Sequence, residues 1–311
     1  MTPVMLALNA MATRFELVLH GENATRLRGA GEAALAEVER LEARLSLYQP
    51  SSEIARVNAL AAREPVRVSP SVFGLLQHAR QLQAGSGGAF DITVAPLVRC
   101  WGFMHGTGRL PEPAEIEEAH RRCGMAHVLL DEKNYSVRFD QEGVMIDLGA
   151  IGKGYAIDCA ADTLREAGVT SALLHGGTST VYGLGAPPDA EGWKIAITPA
   201  PRQPSSQITV LLRDNALSVS AVWGKSFEAD GKTFGHVIDP RTGWPVNNAV
   251  QAAVALPSAT ETDALSTALL VLGWEGRDTL SRLRPDMRAL VMGPAEQGFR
   301  VASMGIAIPS S

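Results

Sequence analysis

The chain has 311 residues, with 28 Lys and Arg against 33 Asp and Glu, which gives a formal net charge of −5. This acidic balance argues against nucleic acid as a partner, because nucleic-acid-binding proteins usually carry a basic patch and a high pI. Hydrophobic residues make up 46% of the chain and charged residues 20%, a composition that excludes a disordered polypeptide.

Cysteine usage and hydropathy indicate the compartment. The cysteines at positions 100, 123 and 159 form no CxxC pair, which argues against a disulfide framework and a zinc site and predicts three reduced, mostly buried thiols. No apolar run approaches the roughly 18–20 residues that a membrane-spanning helix needs. The first nine residues lack the basic start of a signal peptide. We therefore expect no membrane span and a cytoplasmic location.

The first half of the chain is predicted to be rich in helices. Alternation predicts a first strand over residues 13–20, and an apolar stripe predicts a helix over 24–45. Ser69 and Pro70 are typical of a helix start, and this helix is expected to end near Leu82. Further predicted elements are a short helix from Pro113 to about Cys123, a hairpin of 127–131 with 135–140, a strand over 143–148 and a helix from about Ile151 to Ala167.

The second half is predicted to be rich in strands. Ser258 and Glu261 have the spacing of a capping box and begin a helix that runs to about Leu272. Strands are expected at 171–175, 178–183, 192–197, 207–213, 216–220, 234–238, 249–256, 288–294 and 298–303. Helices concentrated early and strands concentrated late indicate an α+β fold.

The commonest catalytic motifs are missing from the sequence. Residues 149–154 resemble the tail of a P-loop but have the wrong spacing, and no Ser or Thr follows Lys153. No GxGxxG opens a helix after a strand, and neither HExxH nor GxSxG occurs.

Two segments in the first half combine glycines with charged residues. Within residues 88–96, Asp91 follows a Gly-rich turn, where it either contacts a ligand or caps the turn. Within residues 145–158, a predicted strand ends at Asp147 and glycines lead to Lys153 at a helix start. Glycines let a ligand approach the backbone, and a helix N-terminus attracts phosphate. The second segment therefore predicts a phosphate site, with a salt-bridged turn as the alternative.

Two segments in the second half carry further candidate groups. His236 precedes an Asp-Pro turn, and its side chain is suited to proton transfer near neutral pH, although a lone histidine is more often structural. Asp263 and Thr267 lie at i and i+4 on one helix face, with Ser266 beside them. Their oxygens suit Mg²⁺, whereas the alternative is an acidic residue favoured by the helix dipole. Together the four segments indicate Mg²⁺-assisted chemistry on a phosphorylated small molecule.

The same segments, in this order, resemble the ApbE family of FAD:protein FMN transferases. The resemblance runs from about Met11 to Gly273. It is carried by Met11-Ala-Thr13, Leu45-Ser-Leu-Tyr48, Ser52-Glu53, Asn58, Gly88-Ala-Phe-Asp91, Trp101-Gly-Phe103, residues 147–158, Gly176-Gly177, residues 236–243 and residues 263–267.

The resemblance implies two interlocked α/β lobes with an FAD and Mg²⁺ site in the cleft between them. Residues 1–311 would form one catalytic unit, in which a helix-rich part over about 1–170 and a strand-rich part over about 171–311 share the site. The implied enzyme cleaves the pyrophosphate of FAD and moves FMN onto a Ser or Thr hydroxyl of an acceptor flavoprotein. A phosphoester forms and AMP leaves.

The resemblance also assigns residues. His236 would activate the acceptor hydroxyl, and Lys153 would neutralise charge on the pyrophosphate. The implied Mg²⁺ ligands are the carbonyl of Ala150 and the side chains of Asp263, Ser266 and Thr267. The implied FAD-binding residues are Met11, Tyr48, Ala89, Phe90, Asp91, Asp147, Lys153 and the backbone near Val237.

Two segments depart from the family pattern. Residues 219–225 replace a Thr-Ser-Gly-Asp-Tyr-Arg-like strand, although Ser220 keeps a hydroxyl. Residues 174–178 replace Asn-x-Gly-Gly-Asp, and we expect the new His175 to alter the wall beside the glycine pair. These departures leave two alternatives open, an FAD pyrophosphatase that releases FMN and AMP, and a non-catalytic FAD-binding protein. Members of the family are often exported lipoproteins, whereas the cytoplasm is expected here.

Overall fold

The computed structural model describes residues 2–104, 106–198, 207–294 and 299–308. Helices and strands are both abundant in these ranges. The α-helices of the described residues are α1 (Ala24–Leu45), α2 (Glu53–Leu60), α3 (Pro70–Gly85), α4 (Ala95–Cys100), α5 (Pro113–His120), α6 (Gly152–Glu166), α7 (Ala259–Leu272) and α8 (Gly276–Leu283). The structure combines helices and strands, which confirms the predicted α+β class.

One antiparallel sheet of eight strands organises the described residues, in the order β1-β2-β6-β7-β10-β13-β14-β15. Its strands are β1 (Val4–Ala10), β2 (Thr13–Leu19), β6 (Ala172–Gly176), β7 (Thr180–Leu184), β10 (Asn215–Ala221), β13 (Gln251–Leu256), β14 (Arg288–Pro294) and β15 (Phe299–Met304). The smaller sheets contain β3 (Val66–Arg67), β4 (Val128–Asp131), β5 (Ser136–Phe139), β8 (Trp193–Ile197), β9 (Ile208–Leu212), β11 (Ser226–Ala229) and β12 (Lys232–Gly235).

The large sheet separates two hydrophobic layers. Leu174, Ala216 and Val254 point to the main core, where the helices α1, α6 and α7 pack. Their strand neighbours point the other way, and Leu217 and Ala253 lie in a second cluster under the β8–β9 hairpin. Because successive strand residues face opposite sides, a polar side chain on the helix face of this sheet is buried against α6 or α7.

The helices α6 and α7 cap each other. Asp158 on α6 accepts hydrogen bonds from the amides of Ala259 (2.8 Å) and Thr260 (2.9 Å) at the start of α7. Asp263 on α7 accepts a bond of 3.0 Å from the amide of Gly154 in the first turn of α6. Each carboxylate satisfies amides that lack an intrahelical acceptor and lies at the positive end of a helix dipole. This exchange places Asp263 beside the start of α6.

Most of the strongly patterned elements are confirmed. The predicted helix over 24–45 has the bounds of α1, and its apolar stripe is buried. The helix predicted from Ser69 is α3, which extends to Gly85, whereas the helix predicted from Pro113 ends at His120. The hairpin of β4 with β5 and the closing pair of β14 with β15 are also confirmed. Residue 298, the predicted start of the last strand, lies outside the described residues.

The predicted strand over 143–148 is wrong. Ile146 makes its backbone hydrogen bonds with the side chain of Asn58, donating to Oδ1 at 2.8 Å and accepting from Nδ2 at 2.9 Å. The amide of Asp147 donates to the carbonyl of Ile92 at 2.7 Å. A side-chain amide takes the place of a neighbouring strand, so the extended segment belongs to no ladder.

The strand predicted to be first is the second one. It forms β2, and β1 precedes it as an edge strand that exposes 69% of Met5. The β1 sequence is almost entirely apolar, so it lacks the alternation that signals a half-buried strand. Other short elements that the sequence analysis missed are α2, α4, α8, β3 and β11.

Two further predictions concern membrane-spanning helices and the burial of the cysteines. None of the described helices is long and apolar enough to cross a membrane. The three cysteines are free thiols, but each is partly buried rather than fully buried.

The crossing of α6 and α7 leaves no room for a side chain at Gly154. A Cβ there would overlap the carbonyl oxygen of Ala259. We expect Gly154→Ala to lower the free energy of unfolding by about 1–3 kcal/mol, as overpacking does. The matched control is Gly74→Ala in α3, where a Cβ meets no atom within 4 Å and alanine raises helix propensity. Urea unfolding measures both, and equal stability of the two variants would contradict the close approach.

Candidate functional site

Asp263 and Lys153 meet where α7 crosses the start of α6. Asp263 Oδ2 is engaged by the Gly154 amide, while Oδ1 lies 3.5 Å from Lys153 Nζ. The Lys153 ammonium also donates to the carbonyl of Gly149 at 2.9 Å. The Asp263 side chain is only 6% exposed and that of Lys153 is 22% exposed. One carboxylate oxygen and a cation therefore face the same partly open space.

Hydroxyl groups surround Asp263 on the side of the sheet. Ser220 Oγ on β10 lies 2.8 Å from Ser266 Oγ and 3.2 Å from Thr267 Oγ1. Both α7 hydroxyls lie within 3.3 Å of the Asp263 carbonyl, to which they donate. Thr267 is half-buried, whereas Ser266 is fully buried against β10.

The donors at this position fit a hard divalent cation. A carboxylate, a hydroxyl and the nearby carbonyl of Gly149 are oxygen ligands of the kind that Mg²⁺ prefers. The part of the chain that the structure describes contains no group of three or more His, Cys, Asp or Glu side chains arranged for a metal. One carboxylate with neutral oxygens suits Mg²⁺ that takes its other ligands from phosphates and water, and it does not suit zinc.

Asp147 and Tyr48 extend the site from Lys153. Asp147 Oδ1 accepts a hydrogen bond of 2.8 Å from the Gly149 amide. Burial raises the pKa of Asp147, and the Gly149 amide and the Lys153 charge oppose that rise. Burial and the Asp147 charge together raise the pKa of the Tyr48 hydroxyl. The Tyr48 side chain is 60% exposed, which presents an aromatic surface beside the carboxylate.

The Gly-rich turn after α3 is built around Asp91. Its Oδ1 accepts from the amide and the hydroxyl of Thr93, at 2.8 and 2.6 Å, and its Oδ2 accepts from Gln83 at 3.3 Å. Burial raises the pKa of this carboxyl, and its hydrogen bonds oppose the rise. Ala89 and Phe90 are fully buried. Their contact with FAD stays a prediction, and the observed role of Asp91 is to shape the turn.

His236 carries a ring nitrogen suited to accepting a proton. Its Nδ1 lies 3.2 Å from the carbonyl oxygen of Lys225, and a carbonyl only accepts, so the neutral ring carries its hydrogen on Nδ1. The lone pair then lies on Nε2. Burial lowers the pKa of His236, against an opposing effect of the Lys225 carbonyl. The next residue, Val237, accepts a backbone bond of 2.9 Å from Val246.

Met11 lies in a strained turn between β1 and β2. Met11 and Ala12 both have positive φ, at 51° and 56°, a conformation that non-glycine residues adopt at a cost. The amide of Met11 donates to the Glu42 carboxylate on α1 at 2.8 Å. On the far side of the turn, Thr13 packs against Gly177 so closely that a Cβ there would overlap the threonine hydroxyl.

The structure joins the predicted residues to different extents. Direct contacts connect Lys153, Asp263, Ser266 and Thr267, and electrostatic effects add Asp147 and Tyr48. Two further contacts link the segments that carry Asp91, Asp147 and Arg241. Asp147 donates to Ile92, next to Asp91, and Arg241, which follows His236, lies within van der Waals distance of a Cβ at Gly88. The ligand-binding roles of all these residues stay predictions.

The expected effect of His175 is not supported. On β6 it alternates with Leu174, which lies in the main core, and it pairs with Val181 of the second cluster. Its side chain therefore lies on the sheet face opposite α6 and α7. Sequence analysis also missed Thr180 and Ser218, whose hydroxyls lie between the sheet and α7. The feature that could have revealed them is a polar residue at a buried position in each of the strands β7 and β10.

Comparison with known proteins identifies the family. The model of the ApbE family matches residues 11–291, which is most of the chain. The chain belongs to the ApbE family.

Relatives and solved structures agree with this assignment. The ApbE-family chain is 32% identical to the FAD:protein FMN transferase of Salmonella typhimurium, over 82% of this chain and 74% of that protein. It is 34% identical to the Vibrio cholerae enzyme of the same name, over 76% of this chain and 72% of that protein.

Two crystal structures superpose over nearly the whole chain. The ApbE protein of Thermotoga maritima has a TM-score of 0.85 at 28% identity, covering 98% of this chain and 97% of that chain. The apo flavinyl transferase ApbE of Pseudomonas stutzeri has a TM-score of 0.83 at 31% identity, with coverages of 98% and 95%. The α/β fold is thus the ApbE fold.

The environment of His236 leads to a prediction about its titration. Because burial disfavours the charged ring, we expect its pKa to lie below the ordinary histidine value of about 6.5. The ring is then neutral at pH 7. Nuclear magnetic resonance of the histidine ring protons across pH 4–8 measures this midpoint, and His236→Gln identifies the signal. A midpoint at or above the ordinary value would contradict the predicted environment.

Proposed function

We propose that this chain transfers the FMN half of FAD to a protein, onto a Ser or Thr hydroxyl, with the help of Mg²⁺. The relatives named FAD:protein FMN transferase support the transfer of FMN from FAD. The single observation that carries the chemistry is the meeting of Lys153 with Asp263 at the start of α6. An ammonium, a carboxylate and a helix N-terminus at one point suit a pyrophosphate with a bound cation.

The reaction balances as a single displacement at phosphorus. The acceptor hydroxyl oxygen forms a bond to the phosphorus of the FMN half, and the bond from that phosphorus to the bridging oxygen breaks. The hydroxyl proton passes to Nε2 of His236, and AMP leaves with the bridging oxygen. Phosphoryl transfer of this kind depends mainly on positioning and on charge compensation.

The residues of the chain have separate roles in this scheme. His236 takes the proton, because its Nδ1 faces the Lys225 carbonyl and its Nε2 keeps the lone pair. Lys153 compensates negative charge on the pyrophosphate. Asp263 and Thr267, with the Ala150 carbonyl, would hold Mg²⁺, which supplies further positive charge to the phosphate oxygens. The exposed Tyr48 ring offers a surface for a flavin or adenine ring.

A transfer assay distinguishes this function from its alternatives. Wild-type protein is incubated with FAD, Mg²⁺ and a candidate acceptor domain, and intact mass is measured together with AMP. An FMN-sized mass gain on a Ser or Thr, with AMP release, is the expected result. AMP and FMN release with no mass gain would identify an FAD pyrophosphatase, and unchanged FAD would identify a binding protein. Either outcome overturns the proposal.

Replacing His236 separates proton transfer from FAD binding. We expect His236→Gln to reduce the transfer rate by about 10²–10⁴-fold, the usual contribution of a general base, and to leave the FAD dissociation constant within about twofold. In the wild type, the rate is expected to fall as pH falls through the His236 pKa, because the protonated ring cannot accept. A rate that stays constant as pH falls through the midpoint measured for His236 would contradict this role.

Replacing Lys153 tests its role in binding the pyrophosphate. We expect Lys153→Met to raise the FAD dissociation constant about tenfold or more, because a charged hydrogen bond contributes about 1.5–3 kcal/mol. The matched control is Lys194→Met, since Lys194 is exposed on β8. Flavin fluorescence titration measures both variants. If both bind FAD as the wild type does, Lys153 does not contact the pyrophosphate.

A further inference from the structure

A row of buried hydroxyls leads to the Asp263 carboxylate. The side chains of the row are those of Thr262 on α7, Ser218 on β10 and Thr180 on β7, and the row ends at Asp263 on α7. Each of these four residues exposes 4% of its surface or less. We propose that Thr262, Ser218 and Thr180 form a one-way hydrogen-bond chain that positions Asp263 Oδ1 for the divalent cation. The inference rests on the proposed function only in taking Asp263 as a metal ligand.

The distances connect the four side chains in sequence. Thr262 Oγ1 lies 2.8 Å from Ser218 Oγ, which lies 3.1 Å from Thr180 Oγ1. Thr180 Oγ1 lies 3.4 Å from Asp263 Oδ1. The last contact is longer than a usual O–H···O bond, so the carboxylate oxygen is held loosely enough to accept another partner.

Counting protons fixes the direction of the chain. An ionised carboxylate only accepts, so the single hydroxyl proton of Thr180 points at Asp263. Thr180 must then accept from Ser218, and Ser218, having used its own proton, must accept from Thr262. The Thr262 hydroxyl also donates to the Ala259 carbonyl at 2.9 Å. Because Ser218 gives its own proton to Thr180, the 2.8 Å contact between Thr262 and Ser218 shares the Thr262 proton with that carbonyl. Aligned bonds polarise one another, which strengthens the donor at the carboxylate end.

The hydrogen-bond chain and the start of α6 each hold a different carboxylate oxygen of Asp263. Oδ2 is engaged by the Gly154 amide at 3.0 Å, and Oδ1 faces Thr180 and Lys153. Because both oxygens are contacted, the rotation of the carboxylate plane is restricted, and a lone pair of Oδ1 stays directed at the space beside Lys153. Partners that orient a metal ligand typically account for a 10–100-fold difference in metal affinity.

Packing alone does not explain these hydroxyls. A valine has nearly the shape of threonine and would fill position 180 or 262 without a buried polar group. Burying a hydroxyl costs free energy unless it is hydrogen-bonded. Three hydroxyls at fully buried positions, bonded in series and ending on one carboxylate, are therefore better explained by orientation of that carboxylate than by core stability.

The test measures metal binding by the full chain without FAD. Mn²⁺ is the probe, because its free form is quantified by electron paramagnetic resonance. We expect Thr180→Val to weaken Mn²⁺ binding about tenfold or more and Thr180→Ser, which keeps the hydroxyl, to remain within about twofold of the wild type. Thr262→Val lies two hydroxyls away and is expected to weaken binding severalfold. Thr209→Val, an exposed position on β9, is the matched control.

The outcomes separate this inference from the proposed function. If the wild type, Thr180→Val and Thr262→Val bind Mn²⁺ with equal affinity, the proposed hydrogen-bond chain is overturned, whatever the transfer assay gives. Absence of Mn²⁺ binding by the wild type, both without FAD and with FAD present, also overturns the inference, because Asp263 is then not a metal site. Circular dichroism melting is recorded for every variant. If Thr180→Val does not fold, Ser218→Ala, which removes only one hydroxyl, is expected to weaken Mn²⁺ binding severalfold, and unchanged affinity overturns the inference.

Discussion

The rest of the site depends on the exchange of caps between α6 and α7. Asp158 binds the first amides of α7, and Asp263 binds the Gly154 amide in the first turn of α6. Both helices need an acceptor at that end, since the first amides of a helix have no carbonyl within it. Each helix supplies the other's acceptor, which ties the position of Asp263 to the crossing of the two helices rather than to a loop.

This arrangement gives one carboxylate two tasks. Asp263 Oδ2 completes the start of α6, while Oδ1 faces Lys153 and the hydroxyls of the sheet. The helix start also contributes positive charge from its dipole. A chain with a net charge of −5 can therefore create a local environment for an anionic ligand, because Lys153 and the positive end of the helix act at short range.

Sequence reasoning succeeded where a local pattern determines structure. The stripe of α1, the Ser-Pro start of α3 and the Ser258 N-cap of α7 are all observed. It failed at 143–148, where Ile146 pairs with the Asn58 side chain instead of a strand. The two residues are 88 positions apart, and no periodicity carries that information.

The sequence by itself determined the α+β class, most strongly patterned elements and the ordered segments that identify the ApbE family. Only the tertiary structure decided that Thr180 contacts Asp263 and Ser218 contacts Thr180, that His175 lies on the opposite sheet face, and that Nδ1 of His236 faces the Lys225 carbonyl. The physical reason is that these outcomes depend on strand register and helix crossing. A shift of one residue in β7 or β10 would turn the hydroxyls of that strand to the other face of the sheet.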